Sequence, residues 1–416
     1  MHIEAKMLRF PRDIKLDFLS SQIENLGSPE ANSIQVPAKI PPESGFAVTG
    51  ILIQLLAQWS RRNRERILHV AGQPVQEMLY RLSDEPHGSA AIYFAREVSG
   101  ALGFSLESNR ARRFLIPKIR AMQNHQYRET IGSRGVHLCC FSGSINEYLN
   151  PFYGRSDDQS LRNSSEFIDL IRNILNAFEP TAERKLSYFY IRFIASIIFE
   201  LFSNTHDHAR MDEDGNKYSA GNVRGLIART IEFREDRRET SINTHVHRYM
   251  IKATIQQRPR RPSAQANLER AERIRLGHPS QSPFSNKSKT STRFLEFTIY
   301  DTGPGLANNW AKKKGIDTAS FSFEEELRCV TECFAVGSTT KQTHGVGQGL
   351  FNTLQALEKL GAFMVLRTGR TFLYQDFLNH TKKTFSPEHW HPDEKEQPYL
   401  PGTAYTIVVP LNRREA

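Results

Sequence analysis

The 416-residue chain contains few of the features that mark secreted, metal-stabilised or membrane proteins. It has only four cysteines: Cys139 and Cys140 are adjacent, and Cys329 and Cys333 are spaced for one face of a helix. No second pair stands at zinc-ligand spacing, so we expect buried free thiols. No apolar run reaches the roughly 18 uninterrupted residues of a membrane span. The amino terminus lacks the pattern of a signal peptide, and we therefore expect a cytoplasmic protein that does not enter a membrane.

Two common nucleotide-binding patterns are also missing. The chain contains no Gly-x4-Gly-Lys-Ser/Thr sequence, which excludes a P-loop. A glycine triplet is present at Gly345, Gly347 and Gly349, but it lacks the preceding strand and the downstream acid of a dinucleotide site. If the chain binds a nucleotide, it must therefore use a different arrangement.

Composition is otherwise that of a globular protein, with 39% hydrophobic and 24% charged residues and a length that allows two or three domains. The formal net charge of +10 is concentrated in one segment, because residues 224–293 contain 16 Lys and Arg against 6 Asp and Glu. This segment is rich in proline and serine and poor in apolar residues. We predict a mobile, basic insertion at about 211–293, which either contacts nucleic-acid phosphates or is merely a solvated loop.

The first 160 residues predict a small α/β domain. The expected elements are strands at 34–37 and 66–70, a helix at 46–59, and further sheet at 90–95 and 136–141. A polar stretch at 153–163 predicts the domain boundary, and a helix is expected at 166–178. The strand-helix-strand order faintly resembles STAS-type domains.

The second part of the chain is organised around a long helix with a polar end. Residues 188–198 are apolar apart from Arg192 and Ser196, which predicts a helix buried on most sides. Glu200, Asn204 and Asp207 follow at spacings of four and three, so they share one stripe of that helix. Two carboxylates and an amide are therefore directed to one place.

Three later stretches contain glycines next to predicted elements. Residues 294–301 predict a strand that ends at Asp301, followed by Gly303 and Gly305. The stretch 345–350 opens an apolar helix that runs to about Leu360. Glycines at the start of a helix let its first backbone N–H groups approach phosphate. Pro401, Gly402 and Thr403 precede a predicted strand at 404–409.

These four stretches, in this order, resemble the GHKL superfamily of gyrase, heat-shock chaperone, MutL, MORC and histidine kinase ATPases. The resemblance covers about 181–411. It implies a two-layer α/β sandwich of the Bergerat type over 161–411, preceded by the smaller N-terminal α/β domain. The insertion at 211–293 is longer than the connection that this superfamily usually has there.

The resemblance also implies roles for individual residues. Asn204 would ligate Mg²⁺, Glu200 would act as the base for the attacking water, and Asp207 would support them. Asp301 would accept a hydrogen bond from the adenine amino group, assisted by Thr403. The remaining implied ATP contacts are Gly303, Gly305, Lys341 in the lid, and the phosphate-wrapping residues Gly345, Val346, Gly347, Gln348, Gly349 and Leu350.

Three uses of ATP remain open. The chain ends soon after Gly402, so we expect no following domain with a γ-phosphate lysine, and residues 166–190 contain no histidine for autophosphorylation. The leading hypothesis is slow, Mg²⁺-dependent ATP hydrolysis by a nucleotide-controlled switch. The alternatives are a histidine or serine kinase acting on a separate protein, and ATP-regulated nucleic-acid binding through residues 224–293. The expected partners are ATP and another protein, and a homodimer is also expected.

Overall fold

The computed structural model describes residues 7–26, 31–41, 46–144, 147–154, 159–212, 214–219, 221–234, 244–257, 291–318, 320–335, 349–378 and 384–411. These residues form a mixed α/β structure with two sheets, as predicted. Residues 235–243, 258–290 and 336–348, which include much of the basic segment and the predicted lid, lie outside the described part of the chain.

The smaller sheet belongs to the N-terminal part. Its strands, in spatial order, are β1 (Leu8–Arg9), β2 (Ser33–Gln35), β3 (Ile67–Val70), β4 (Glu97–Gly100) and β5 (Ser105–Glu107). The first four strands are parallel and β5 is antiparallel. Parallel neighbours need crossover connections, which the chain makes with α1 (Leu16–Asn25), α2 (Val48–Arg62), α3 (Val75–Ser83) and α4 (Pro86–Phe94).

The predicted strand-helix-strand unit is confirmed by β2, α2 and β3. The predicted sheet at 90–95 is wrong, because these residues lie at the end of helix α4, which begins at Pro86 and is buried on all sides. A helix of this kind shows no polar face, so its sequence has no 3.6-residue period that would distinguish it from a buried strand.

The larger sheet has seven strands and is antiparallel throughout. Its spatial order is β11 (Glu388–His389), β10 (Thr371–Asp376), β9 (Phe363–Gly369), β12 (Leu400–Pro410), β8 (Ser291–Asp301), β7 (Val223–Arg234) and β6 (Gly135–Phe141). The predicted strands ending at Asp301 and following Thr403 are thus direct neighbours.

Helices cover one face of this sheet, which we call the site face because it includes Asp301. Here α8 (Ser164–Phe178) and α14 (Gly349–Leu360) pack on either side of α10 (Tyr188–His208). The remaining helices are α5 (Ser108–Ala111), α6 (Ile116–Gln123), α7 (Asn150–Tyr153), α9 (Ala182–Lys185), α11 (Thr244–Gln257), α12 (Leu306–Lys314) and α13 (Phe323–Glu332). The capping boxes Asn163/Glu166 and Ser322/Glu325 begin α8 and α13.

The opposite face of the sheet, here the inner face, is also covered. Helix α2 lies against β8 and β12, and every residue from Val48 to Ser60 is buried. The contact is close at Gly50, where a Cβ would lie 2.8 Å from Thr298 Cγ2 and 3.3 Å from Ala404 Cβ. Helix α2 of the N-terminal part therefore adds a third layer to the sheet and the helices on its site face.

The pairing of β6 with β7 differs from the predicted domain boundary at 153–163 and from the predicted mobile insertion at 211–293. Strand β6 precedes residue 160, yet it pairs with β7 in the larger sheet. Strand β7 itself lies within the predicted insertion, and its Arg224 and Arg229 are only 1% and 9% exposed. Counting these buried arginines as surface charge overstated the basic character of the segment. The nucleic-acid alternative accordingly has less support than the composition indicated.

Candidate functional site

Helix α10 holds the three polar residues predicted for its end. It runs without interruption to His208, so the spacing of Glu200, Asn204 and Asp207 on one stripe is retained. Glu200 and Asn204 are half-buried and Asp207 is exposed. Ile198 and Phe202, on the opposite side of the helix, are buried. The apolar residues anchor the helix in the core, which leaves the polar stripe at its edge.

The carboxylate of Glu200 lies at the start of α14. A Cβ added at Gly349, the first residue of α14, would collide with Glu200 Oε2. The predicted apolar helix ending at Leu360 is thus confirmed from Gly349 onward, and Leu350 is half-buried. The structure brings Glu200 and Gly349 together although they are far apart in sequence.

The predicted phosphate contacts upstream of Gly349 are not tested. Lys341, Gly345, Val346, Gly347 and Gln348 lie outside the described residues.

Asp301 is the last residue of β8 and is only 6% exposed. Its Oδ1 accepts a hydrogen bond of 2.9 Å from the backbone N–H of Gly303. Burial raises the pKa of this carboxyl to about 7, against the opposing effects of the Gly303 and Thr403 backbone N–H groups and of Arg61. Within the described ranges, no cationic side chain forms an ion pair with it. The charge of this buried carboxyl is thus compensated by backbone N–H groups and by more distant arginines, and not by an ion pair.

Glycines next to Asp301 allow three chain segments to approach closely. A Cβ at Gly303 would lie 2.5 Å from Ala209 Cα, just after α10. Gly305 has φ +93°, and a Cβ there would lie 2.9 Å from Thr368 Oγ1. Gly402 has φ +78°, and its Cβ would collide with the carbonyl oxygen of Asp301. These glycines are therefore explained by contacts within the protein, whereas the resemblance attributes Gly303 and Gly305 to a ligand.

Two threonines lie beside Asp301. Thr403 faces Asp301 directly in the β8–β12 register and is 4% exposed. Its hydroxyl lies 3.4 Å from that of Thr368, which donates to Gly402 O at 3.0 Å and accepts from Leu306 N at 3.1 Å. Thr368 was not predicted, because a threonine near the end of an apolar strand has no distinguishing local signal.

The N-terminal part also reaches this region through Arg61, near the end of α2. Its guanidinium donates to the carbonyl oxygen of Thr302 and lies 3.7 Å from the centre of the Tyr218 ring. Sequence reasoning missed Arg61 because the two partners in the hydrogen bond are 241 residues apart. The loop after Asp301 is therefore held from the N-terminal part as well as from α10.

Other sequence predictions can be compared with the described residues. All four cysteines are buried and free, as predicted. Within the described ranges, no cluster of three or more His, Cys, Asp or Glu side chains could hold a metal ion. His206 lies beside Tyr153, with 3.1 Å between its Nδ1 and the Tyr153 hydroxyl. No helix in the described part of the chain is both long and apolar enough to span a membrane.

No protein-family model, curated protein or solved structure matches the chain. The resemblance to the GHKL superfamily consequently rests on the four sequence stretches alone, and it remains a prediction.

Proposed function

We propose that the chain binds ATP with Mg²⁺ in a Bergerat-type site and hydrolyses it slowly, as a nucleotide-controlled switch. The observation that carries this proposal is the contact between the Glu200 carboxylate and Gly349, the first residue of α14. In the GHKL arrangement, the end of the first helix and the start of the later helix must meet at the phosphates. A chance motif match would not require this contact.

The environment of Asp301 suits a ligand with an amino donor. Desolvation of its carboxylate is unfavourable in the unliganded chain, because no ion pair with it occurs among the described residues. A donor such as the adenine amino group would offset that cost by a hydrogen bond to the carboxylate. The adjacent Thr403 hydroxyl would assist in selecting the base.

The oxygen donors on α10 suit a hard cation. The Asn204 amide would hold Mg²⁺ together with phosphate oxygens and water. The bound ion would neutralise part of the phosphate charge. Glu200, on the same stripe, would accept the proton of the attacking water on its carboxylate. Its half-buried position keeps the carboxylate within reach of solvent water.

Incubation of the purified chain with γ-labelled ATP and Mg²⁺ tests the proposal. We expect released phosphate from the wild type and at least a 100-fold slower release from Glu200→Ala, with ATP affinity within threefold of wild type. Glu24→Ala, an exposed carboxylate on α1, is the matched control and should leave the rate unchanged. Normal hydrolysis by Glu200→Ala would contradict the role of Glu200 as the base, and label on the protein itself would favour the kinase alternative.

A further inference from the structure

A cavity of about 460 Å³ lies between the N-terminal part and the larger sheet. Its wall includes Tyr93 and Arg112 from the N-terminal part, Ser142 after β6, and the loop after α10. The wall is tightly built, because the Tyr93 hydroxyl donates to Ser142 O at 2.7 Å and the Ser142 hydroxyl accepts from Asn222 N at 2.8 Å. Nothing in the proposed nucleotide chemistry uses this cavity.

The cavity is lined by three cationic side chains: Arg112, Arg210 and Lys217. Glu147 is the one acidic residue of the described lining. Its Oε2 accepts a hydrogen bond of 2.9 Å from Gly143 N, and its Oε1 lies 3.6 Å from a guanidinium nitrogen of Arg224, which is not a lining residue. The acid is thus engaged elsewhere, and positive charge dominates the lining.

The two arginines are held by neutral groups. Arg112 donates through two nitrogens to the carbonyl oxygen of Tyr93, at 3.1 and 2.7 Å. Arg210 donates to His206 O at 2.9 Å and to the Tyr148 hydroxyl at 3.3 Å. Neutral acceptors orient a guanidinium without cancelling its charge. Cations fixed in this way around a cleft concentrate its positive potential.

We propose that this cavity binds a small, phosphate-bearing anion. Its volume lies within the range of small-molecule sites, and guanidinium and ammonium groups are the side chains that recognise phosphate. Exposed Lys217 would contribute its charge at the rim. The bound molecule is either inorganic phosphate or the phosphate group of a larger metabolite.

The loop after α10 connects this cavity with the proposed nucleotide site. Asp212 and Asp214 of the same loop line another cavity, of about 780 Å³, next to Pro304. Tyr218, which lines the cationic cavity, lies against Arg61, and Arg61 bonds to Thr302. If the proposed function is correct, a bound anion should therefore alter ATP affinity, and ATP should alter anion affinity by the same factor.

Calorimetric titration of the full chain with guanosine 5′-monophosphate, and separately with inorganic phosphate, tests the anion site without ATP. Guanine carries a carbonyl where adenine has its amino group, so it does not suit Asp301. We expect binding that weakens at least tenfold in Lys217→Glu and with rising salt, but changes less than twofold in Lys313→Glu. Lys313 is an exposed lysine on α12 that lines neither cavity.

The outcomes separate this inference from the proposed function. Sensitivity of either probe to Lys217→Glu supports the site, and the tighter probe identifies the source of the phosphate. Absence of binding by both probes, insensitivity to Lys217→Glu, or loss of binding in Asp301→Asn would overturn it. A saturating probe should then change ATP affinity at least threefold. An unchanged ATP affinity would leave the anion site in place and overturn the coupling.

Discussion

Strand β8 carries two buried carboxylates, five positions apart on opposite faces of the larger sheet, and they differ in how their charge is compensated. Glu296, on the inner face, is 2% exposed and bonds to Arg229 through both oxygens, at 2.5 and 3.0 Å. Asp301, on the site face, is 6% exposed and has backbone N–H donors but no such pair. Glu296 therefore has the environment of a structural residue, whereas the environment of Asp301 suits its proposed role in ligand binding.

The glycines on the two faces differ in the same way. Gly50 contacts Thr298 and Ala404 in the middle of the sheet, where neither side chain can move aside. Gly349 contacts the end of the Glu200 side chain, which is flexible. Close packing on the inner face serves stability, whereas close packing on the site face would position the proposed catalytic carboxylate.

Breaking the ion pair between Glu296 and Arg229 on the inner face should have the largest effect on stability. Glu296→Gln removes the carboxylate that pairs with the Arg229 guanidinium, which is 9% exposed, and breaking a buried pair typically costs about 3–5 kcal/mol. Urea unfolding at pH 7.5 measures it. Joint replacement by Glu296→Leu and Arg229→Met should recover much of the loss, because both members of the ion pair are then removed together. A cost below about 1 kcal/mol for Glu296→Gln would contradict the structural role.

Asp301→Asn should produce the opposite result. We expect ATP affinity to fall at least 100-fold, since the neutral amide oxygen is a weaker acceptor for the adenine amino group than a carboxylate oxygen, and the second carboxylate oxygen is replaced by an NH2 donor. Stability at pH 8 should rise, by at most on the order of 4 kcal/mol, because a desolvated charge is removed. ATP titration and urea unfolding on the same sample measure both effects. A variant that loses stability like Glu296→Gln would remove the distinction between the two carboxylates.

The pH dependence of the free energy of unfolding distinguishes Asp301 from Glu296 further. The Asp301 pKa is raised from 3.8 to about 7, so between these values the folded chain binds more protons than the unfolded chain. The contribution of this group to the free energy of unfolding therefore falls as pH rises through that window. Comparison of wild type with Asp301→Asn by urea unfolding from pH 5 to 8 isolates it.

The affinity for ATP and adenosine should rise with pH, whereas the contribution of Asp301 to stability falls. Because adenine needs the ionised form of Asp301, affinity should rise about tenfold per pH unit up to pH 7 and then level off. Adenosine should be titrated alongside ATP, since the phosphates of ATP titrate in the same range. An affinity for adenosine that is independent of pH from 5 to 7 would contradict the role of Asp301.

Substitution of Gly50 or Gly349 by alanine should have the smallest effects. Gly50→Ala should cost about 1–3 kcal/mol of stability and leave the turnover number of the remaining folded protein unchanged. Gly349→Ala should cost less than about 1 kcal/mol, because Glu200 can rotate away, yet lower turnover about tenfold. Unfolding and phosphate-release assays on both variants measure this contrast. An equal loss of turnover in both variants would show that the two faces are not separable.

Local patterns predicted much of the candidate site. A long apolar run predicted α10, and helical spacing predicted the shared stripe of Glu200, Asn204 and Asp207. A strand followed by glycines predicted the position of Asp301 at the end of β8. A strand at 404–409 was also correctly expected, but β12 begins at Leu400 and so includes Gly402 and Thr403. These signals lie within about 12 residues of one another, where helical or extended geometry controls the spacing.

Long-range contacts were not predictable in this way. The pairing of β6 with β7, the inner-face position of α2 and the bond from Arg61 to Thr302 join segments separated by long stretches of chain. Helix α4 was mistaken for sheet because it is buried on every side and its sequence therefore shows no amphipathic period. Arg224 and Arg229 were counted as surface charge, although their burial depends on partners from other segments.

The sequence by itself determined the main elements of both parts and the placement of the chemical groups along them, because periodicity and glycine conformation act locally. Only the tertiary structure decided that α2 lies between the N-terminal part and the larger sheet, and that Glu200 meets Gly349. It also decided that Glu296 is paired while Asp301 is not. The physical reason is that burial and charge compensation depend on which distant segments pack together, and a linear pattern does not encode that choice locally.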